Sequence, residues 1–204
     1  MAGSGGIHGP FPHVGNGKSS GKKILRLLRC THIFASAVRE VLELSLLRET
    51  SPLPLTLSQS HLLKLMTYNG EHHICELAKI LGVSAPAATK NIDKLERLGL
   101  VFREPSKGDR RATLVSVSPR GRQLVEKYEE MKTARISPVL ESFQSGEVEK
   151  LSDLLERFAV SLLEAAGADG GFCLRCDAYI ESDCAVGRVR GGCPYRKARG
   201  ARTS

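Results

Sequence analysis

Four of the six cysteines in this 204-residue chain stand within 21 residues, as Cys173-x2-Cys176-x7-Cys184-x8-Cys193-Pro194. A CxxC pair lets two thiolates reach one metal through a tight turn, so the four sulfurs suffice for one complete tetrathiolate site. The stretch is too short and too poor in apolar residues to fold unaided, a deficit that a metal centre corrects. Structural zinc sites usually pair two CxxC-like knuckles, whereas Cys184 and Cys193 are separated by eight residues. Uneven spacing ending in Cys-Pro is closer to iron–sulfur ligation, and Arg175, Arg188, Arg190 and Arg196 would offset the charge of an anionic cluster. The first expectation is therefore an iron–sulfur cluster on Cys173, Cys176, Cys184 and Cys193. Zinc is the alternative, with disulfides or free thiols as the remainder.

Other residues that could do chemistry carry less. His61, His72 and His73, with Glu76 or Cys75, could form a metal site if they converge, although surface and helix-terminal histidines are more often plain. His8 and His13 lie in a loose tail. GNGKSSGK suggests a phosphate loop, but the pattern needs a glycine where Pro12 stands, and no strand precedes it. No Ser/His/Asp order or carboxylate pair supports catalysis, so the chain is not read as an enzyme.

A second group of residues could read a surface. Ile74, Leu77, Ala78 and Leu81 recur at helical spacing and Gly82 follows as a stop. Ser84 can cap a second helix through its hydroxyl, with Pro86 in the first turn. This short glycine-containing turn is the mark of a helix-turn-helix, whose second helix enters the DNA major groove. Ala88, Ile92, Leu95 and Leu98 can face inward, leaving Ser84, Ala85, Ala87, Thr89, Lys90, Asn91 and Lys94 outward. That outward set is small and polar, with no carboxylate before Asp93, and suits close approach to phosphates and base edges. Gly99 stops the helix, and Leu100–Phe102 and Thr113–Val117 suit paired strands. The loop between them, EPSKGDRRA, carries Lys107, Arg110 and Arg111, which suits a wing reaching a narrow minor groove.

These segments must be held by longer elements. Met1–Lys22 reads as a disordered arm whose lysines can add nonspecific phosphate contacts. Lys23–Arg48 reads as one long amphipathic helix that buries Cys30 as a small hydrophobe. Ser51–Leu57 is extended by its prolines, and a short helix runs from Ser58 to Tyr68. Ser118-Pro119 opens another helix, with Leu124, Tyr128, Met131 and Val139 in period, and Gln144-Ser-Gly146 breaks it. Val148, Leu151, Leu155, Phe158 and Leu162 then recur at near-heptad spacing to Ala166, as helix pairing requires. GADGG at 167–171 is a joint before the cysteine tail, whose seven basic and three acidic residues from Cys173 onward could also touch DNA.

The run LTLSQSHLLKLM followed by ELAKILGVSAPAATKNIDKLERLGLVFREPSKGDRRATLVSVSPRGRQL resembles the MarR family of winged helix-turn-helix transcriptional regulators. The LGVS turn, the LERLGLVFR run into the first wing strand, the DRR wing and the SPRG helix start carry the resemblance together. It covers about Lys23 to Ala166. It implies a mainly α fold with a small β-hairpin wing, a winged helix-turn-helix domain (residues 23–166, DNA-binding core 56–118) and long dimerisation helices. It implies further a homodimer reading a double-stranded, pseudo-palindromic operator, its recognition helices roughly 34 Å apart. The family's wing arginine falls on Arg111, with Asp109 as its local partner and Arg110 on a phosphate. The cysteine tail at 167–204 departs from the family pattern and puts its usual small-molecule effector in doubt as the main input.

Thirty Lys and Arg against 22 Asp and Glu give a net charge of +8, which favours a polyanionic partner. No apolar run is long enough to span a bilayer and the N-terminus has no signal-peptide core, so no membrane role and a cytoplasmic, reducing location are expected. In that compartment clustered cysteines argue for metal or redox chemistry. The leading expectation is a DNA-binding regulator whose metal-bearing tail senses redox or metal state. The alternatives are a structural zinc tail with a small-molecule effector, or a cluster-carrying redox protein.

Overall fold

The computed structural model describes residues 18–106, 113–166 and 184–189. The chain divides into two compact units, Met1–Glu40 and Val41–Ser204. In the first, α1 (Lys18–Ala37) begins inside the stretch expected to be a loose arm. Ile24, Leu27, Leu28 and Phe34 on α1 are all exposed. Cys30 is exposed with them, contrary to its expected burial, because the apolar face of α1 has no cover among the described residues. The single helix expected to reach Arg48 is instead α1, a π-helical stretch (Val38–Ser45) and α2 (Leu46–Thr50). A π turn adds a residue per turn and rotates the face that follows. Leu46 and Leu47 are both buried beyond it.

The second unit is built on α3 (Leu57–Asn69), α4 (Ile74–Leu81), α5 (Ala85–Arg97), α6 (Pro119–Leu140), α7 (Glu147–Ala166) and α8 (Ala185–Val189). Three strands, β1 (His72–His73), β2 (Val101–Pro105) and β3 (Thr113–Val117), form an antiparallel sheet in the order β1-β3-β2. The mainly helical fold with a β-hairpin is the expected one, with β1 an addition. Helix α3 starts one residue before the expected Ser58. Its capping box is made by Thr56, whose hydroxyl accepts from Gln59 N–H (3.3 Å) while Gln59 Oε1 accepts from Thr56 N–H (3.1 Å). The hairpin runs in register from Val101↔Val117 to Pro105↔Thr113, so β2 extends past the expected Phe102.

One core joins these elements. Leu62, Leu65 and Met66 of α3, Leu77 of α4, Ile92 and Leu95 of α5, and Val101 and Val115 of the hairpin are fully buried together. Removing roughly 25 cal/mol per Å2 of apolar surface from water makes this cluster the main attachment of α5 to the rest of the unit. Helix α6 is bound to the hairpin at its first turn. Ser118 Oγ accepts from Gly121 N–H (3.0 Å) and donates to Gly99 O (2.7 Å). Further along, Tyr128 donates to Leu42 O (2.7 Å) and Arg135 pairs with Glu49 (2.6 Å). The Arg135 guanidinium, helped by Ser45, holds the Glu49 carboxyl below its ordinary range. That link is therefore fully present above the unfolded pKa of Glu49 and is lost as pH falls through the folded one. Pro138 lies inside α6, and Gly146, at φ 81°, turns the chain into α7.

Among the described glycines, Gly121 is the most closely approached. A Cβ added there would meet Leu100 O at 2.3 Å and Val117 Cγ1 at 2.9 Å. Gly121→Ala should therefore destabilise by about 1–3 kcal/mol, as overpacking does. Urea denaturation reads this as a lowered midpoint at unchanged slope, and an unchanged midpoint would contradict the close approach.

Candidate nucleic-acid interface

Helix α4 ends on Gly82, whose φ of 63° is in the left-handed region. Val83 N–H donates to Ala78 O (3.1 Å), which closes the turn. Ser84 then occupies the N-cap of α5 with extended backbone (ψ 153°), and Pro86 lies in the first turn. The expected hydroxyl cap is absent: Ser84 makes no side-chain capping bond and is exposed, so the N-terminal N–H groups of α5 are not covered by it. The cap position follows from backbone geometry, which the turn sets without help from the hydroxyl.

Ala88, Ile92 and Leu95 are buried and Leu98 is half-buried, as the inward face requires. On the other face Ser84, Ala85 and Lys90 are exposed, and Ala87, Thr89, Asn91 and Lys94 are half-buried. Thr89 donates its hydroxyl to Ala85 O (2.9 Å). The Asn91 amide is engaged on both sides, accepting from Gln59 Nε2 (3.2 Å) and donating to Ala87 O (3.2 Å).

Arg103 on β2 carries no role that its position in the sequence suggests. Its guanidinium reaches Asp93 Oδ1 at 2.6 Å, Glu96 Oε2 at 3.3 Å and Thr89 O at 3.4 Å, all on α5. The fork fixes the hairpin against the helix and offsets the charge of both carboxylates. Lys90 and Lys94 then dominate the local charge. An arginine two residues into a strand, ten residues after an aspartate of the preceding helix, is a signal that the hairpin's strand pairing makes legible only afterwards.

The hairpin loop residues Lys107, Arg110 and Arg111, with Asp109, lie outside the described residues, as do Cys173, Cys176 and Cys193. The histidines do not converge as one set. His72 is 1% exposed on β1, paired in register with Val115, with Nδ1 3.5 Å from Glu76 Oε2. His73 N–H donates to the same carboxylate (3.0 Å), while His61 lies 4.0 Å from Glu43 and Cys75 is exposed. Among the described residues no three His, Cys, Asp or Glu side chains are gathered as a metal set. Cys184 is half-buried at the start of α8, where its Sγ accepts from Gly187 N–H (3.3 Å). Arg188 of α8 pairs with Glu156 of α7 (2.8 Å), and Val186 packs on the winged-helix core.

Arg103→Lys keeps the charge and loses the fork, and should cost about 1 kcal/mol of stability, since both carboxylates are partly solvated. Faster amide exchange across β2 than across α3 would locate the loss. Equal exchange in both, with an unchanged denaturation midpoint, would show the fork to be idle.

Residues 55–113 match the model of the MarR family. Solved structures share the fold. The YusO protein from Bacillus subtilis is 18% identical over 70% of this chain and 98% of its own, with TM-score 0.58. A MarR family protein from Bacillus stearothermophilus is 20% identical over 70% and 96%, with TM-score 0.59. FabT of Streptococcus pneumoniae, solved in complex with DNA, is 20% identical over 71% and 98%, with TM-score 0.57. No helix among the described residues is long and apolar enough to cross a membrane. Residues 55–113 are thus similar to the MarR family, and the fold around them is the one these structures share.

Proposed function

We propose that this protein is a sequence-specific, homodimeric DNA-binding transcriptional regulator, with α5 in the major groove and the β2–β3 wing against the adjacent backbone or minor groove. The observation that carries the proposal is the face of α5. Ser84, Ala85 and Lys90 are exposed over a fully buried Ala88, Ile92 and Leu95, and the carboxylates that follow are drawn to Arg103. A helix so arranged offers small side chains, positive charge and its N-terminal end to a polyanion. The match to the MarR family and the likeness to FabT, a structure in complex with DNA, support the reading. Ala85, Ala87 and Thr89 would allow close approach to base edges, Ser84, Lys90 and Lys94 would meet phosphates, and Lys107, Arg110 and Arg111 would extend the contact from the wing.

The dimer rests on α7. Its Leu151, Leu154 and Leu162 are 41%, 45% and 54% exposed, and none of its residues is buried. An apolar stripe at near-heptad spacing with no cover among the described residues fits a second copy of this chain.

For input, the cysteine tail is the first candidate. Cys173, Cys176, Cys184 and Cys193 would hold one metal centre, an iron–sulfur cluster before zinc. The N–H···S bond to Cys184 is of the kind that stabilises a ligating thiolate, and α8 beside it is joined to α7. A change at the centre would then bias the dimer helices and shift operator affinity. A second reading keeps the regulator and makes the tail structural zinc, with a small-molecule effector. A narrow pit among α2, α3 and α6, lined by Leu47, Leu63, Lys64, Leu124, Tyr128 and the Thr50 and Ser60 hydroxyls, has room for little more than one water, so an effector would enter it only by displacing these side chains.

Three measurements test these points. Enrichment from a random duplex library, followed by footprinting, should give two half-sites about one helical turn apart; binding with no enriched sequence contradicts the proposal. Leu151→Asp with Leu162→Asp should leave a monomer at micromolar concentration in sedimentation and lower operator affinity more than tenfold, by analogy with losing a hydrophobic interface core; an intact dimer rules out α7 as the seam. Anaerobically purified protein should carry stoichiometric iron and sulfide. Zinc in their place makes the tail structural and moves the search to a small-molecule effector, and protein free of both metals ends the metal reading.

A further inference from the structure

Gln59 is a polar residue that the DNA-reading surface does not explain. It is 4% exposed, near the start of α3, and both ends of its amide are used. Gln59 Oε1 accepts from Thr56 N–H (3.1 Å) and closes the α3 cap, while Nε2 donates to Asn91 Oδ1 (3.2 Å) on α5. Asn91 passes the direction on, its Nδ2 donating to Ala87 O (3.2 Å) one turn earlier. The result is an oriented relay from the first turn of α3 to the middle of the recognition helix.

We infer that Gln59 and Asn91 are positioning residues: the relay fixes the rotation of α5 on α3, and Asn91 serves the operator through that link rather than by reading a base. The inference rests on the DNA-binding reading and refines it, since Asn91 stands in the outward set on helical spacing alone. An asparagine that reads adenine must present both its oxygen and its amide hydrogens to one base edge. Here the oxygen is held by a buried donor and an amide hydrogen by the helix's own backbone. Rotating the side chain outward would leave the Gln59 amide buried without its partner, a loss comparable in size to a new hydrogen bond with a base. Arg103 grips α5 through Thr89 O, Asp93 and Glu96. Together the relay and the fork tie the helix to α3 and to β2, so that its reading face is presented at one angle.

A double-mutant cycle tests this with the full-length protein and its enriched operator. Gln59→Met keeps the length of the side chain, adds no charge and loses the donor to Asn91; Thr56→Val weakens the same cap without touching the relay and is the control for the fold. Asn91→Ala removes the other partner. Each single variant of the cycle should lower operator affinity by about 3- to 10-fold, the range of one hydrogen bond. The double variant should be no worse than either single one, because both cut the same link. Affinity for unrelated duplex and the slope of binding against salt should stay at wild-type values, since no phosphate contact is removed. The ranking of operators changed at single base pairs should also be preserved. Additive losses, an inert Gln59→Met, or Asn91→Ala abolishing discrimination at one base pair would each overturn the inference. Failure of the DNA-binding reading is told apart by the free protein: Gln59→Met must still shift the Asn91 side-chain amide resonances, and Thr56→Val must not, even if the wild type enriches no sequence; unmoved resonances in Gln59→Met overturn the relay itself.

Discussion

The guanidinium of Arg103 is the interaction on which the arrangement of the reading elements depends. Burial of Ile92 and Leu95 attaches α5 to the core, but apolar packing is non-directional and tolerates small rotations of a helix about its axis. A fork that meets Asp93, Glu96 and Thr89 O at 2.6, 3.3 and 3.4 Å does not. It comes from the first strand of the wing, so the same contact that orients the helix also sets where the wing projects. It draws together the negative charge of α5, leaving the first two turns small and basic. Geometry and electrostatics are thus settled by one side chain.

The other end of the hairpin is held differently. Ser118 bonds both to Gly99 O and to Gly121 N–H, and the absent side chain at Gly121 lets α6 lie against Leu100. Helix α6 therefore starts from the same turn at which α5 stops, and any displacement of α6 is carried to the base of the wing. From α6 the chain turns at Gly146 into α7, whose apolar stripe has no cover among the described residues. On the proposed function this short structural path would join a dimer seam to a reading head. A signal that moved α7 from the side of α8 and its Cys184 would then reach α5 without a flexible linker.

Much of this was legible in the residues. Gly82, Pro86 and Gly99 punctuate α4 and α5 at the positions found, because glycine at positive φ and proline in a first helical turn have few other uses. The pattern of Ala88, Ile92 and Leu95 fixed the buried face of α5. What stayed hidden was non-local. Strand β1 is two residues long, too short for any period, and exists only because β3 offers an edge to His72 and His73. The roles of Gln59 and Arg103 depend on partners 32 and 10 residues away across different elements, which spacing along one helix cannot disclose. The exposure of Cys30 was hidden for a related reason: its helix is amphipathic, but the face it shares is covered by nothing among the described residues.

On the proposed function, the N-terminal half of α5 lies against the bases of an operator. Placing a photo-crosslinking phenylalanine derivative at Ala85, an exposed position in the first turn, tests it most directly. The account predicts cross-links to bases of each half-site in the enriched operator, and none of comparable position in an unrelated duplex. The same probe at the exposed Arg122 of α6 serves as the reference. Cross-links that arise equally from both positions, or from Arg122 alone, would contradict the placement of α5 in the groove.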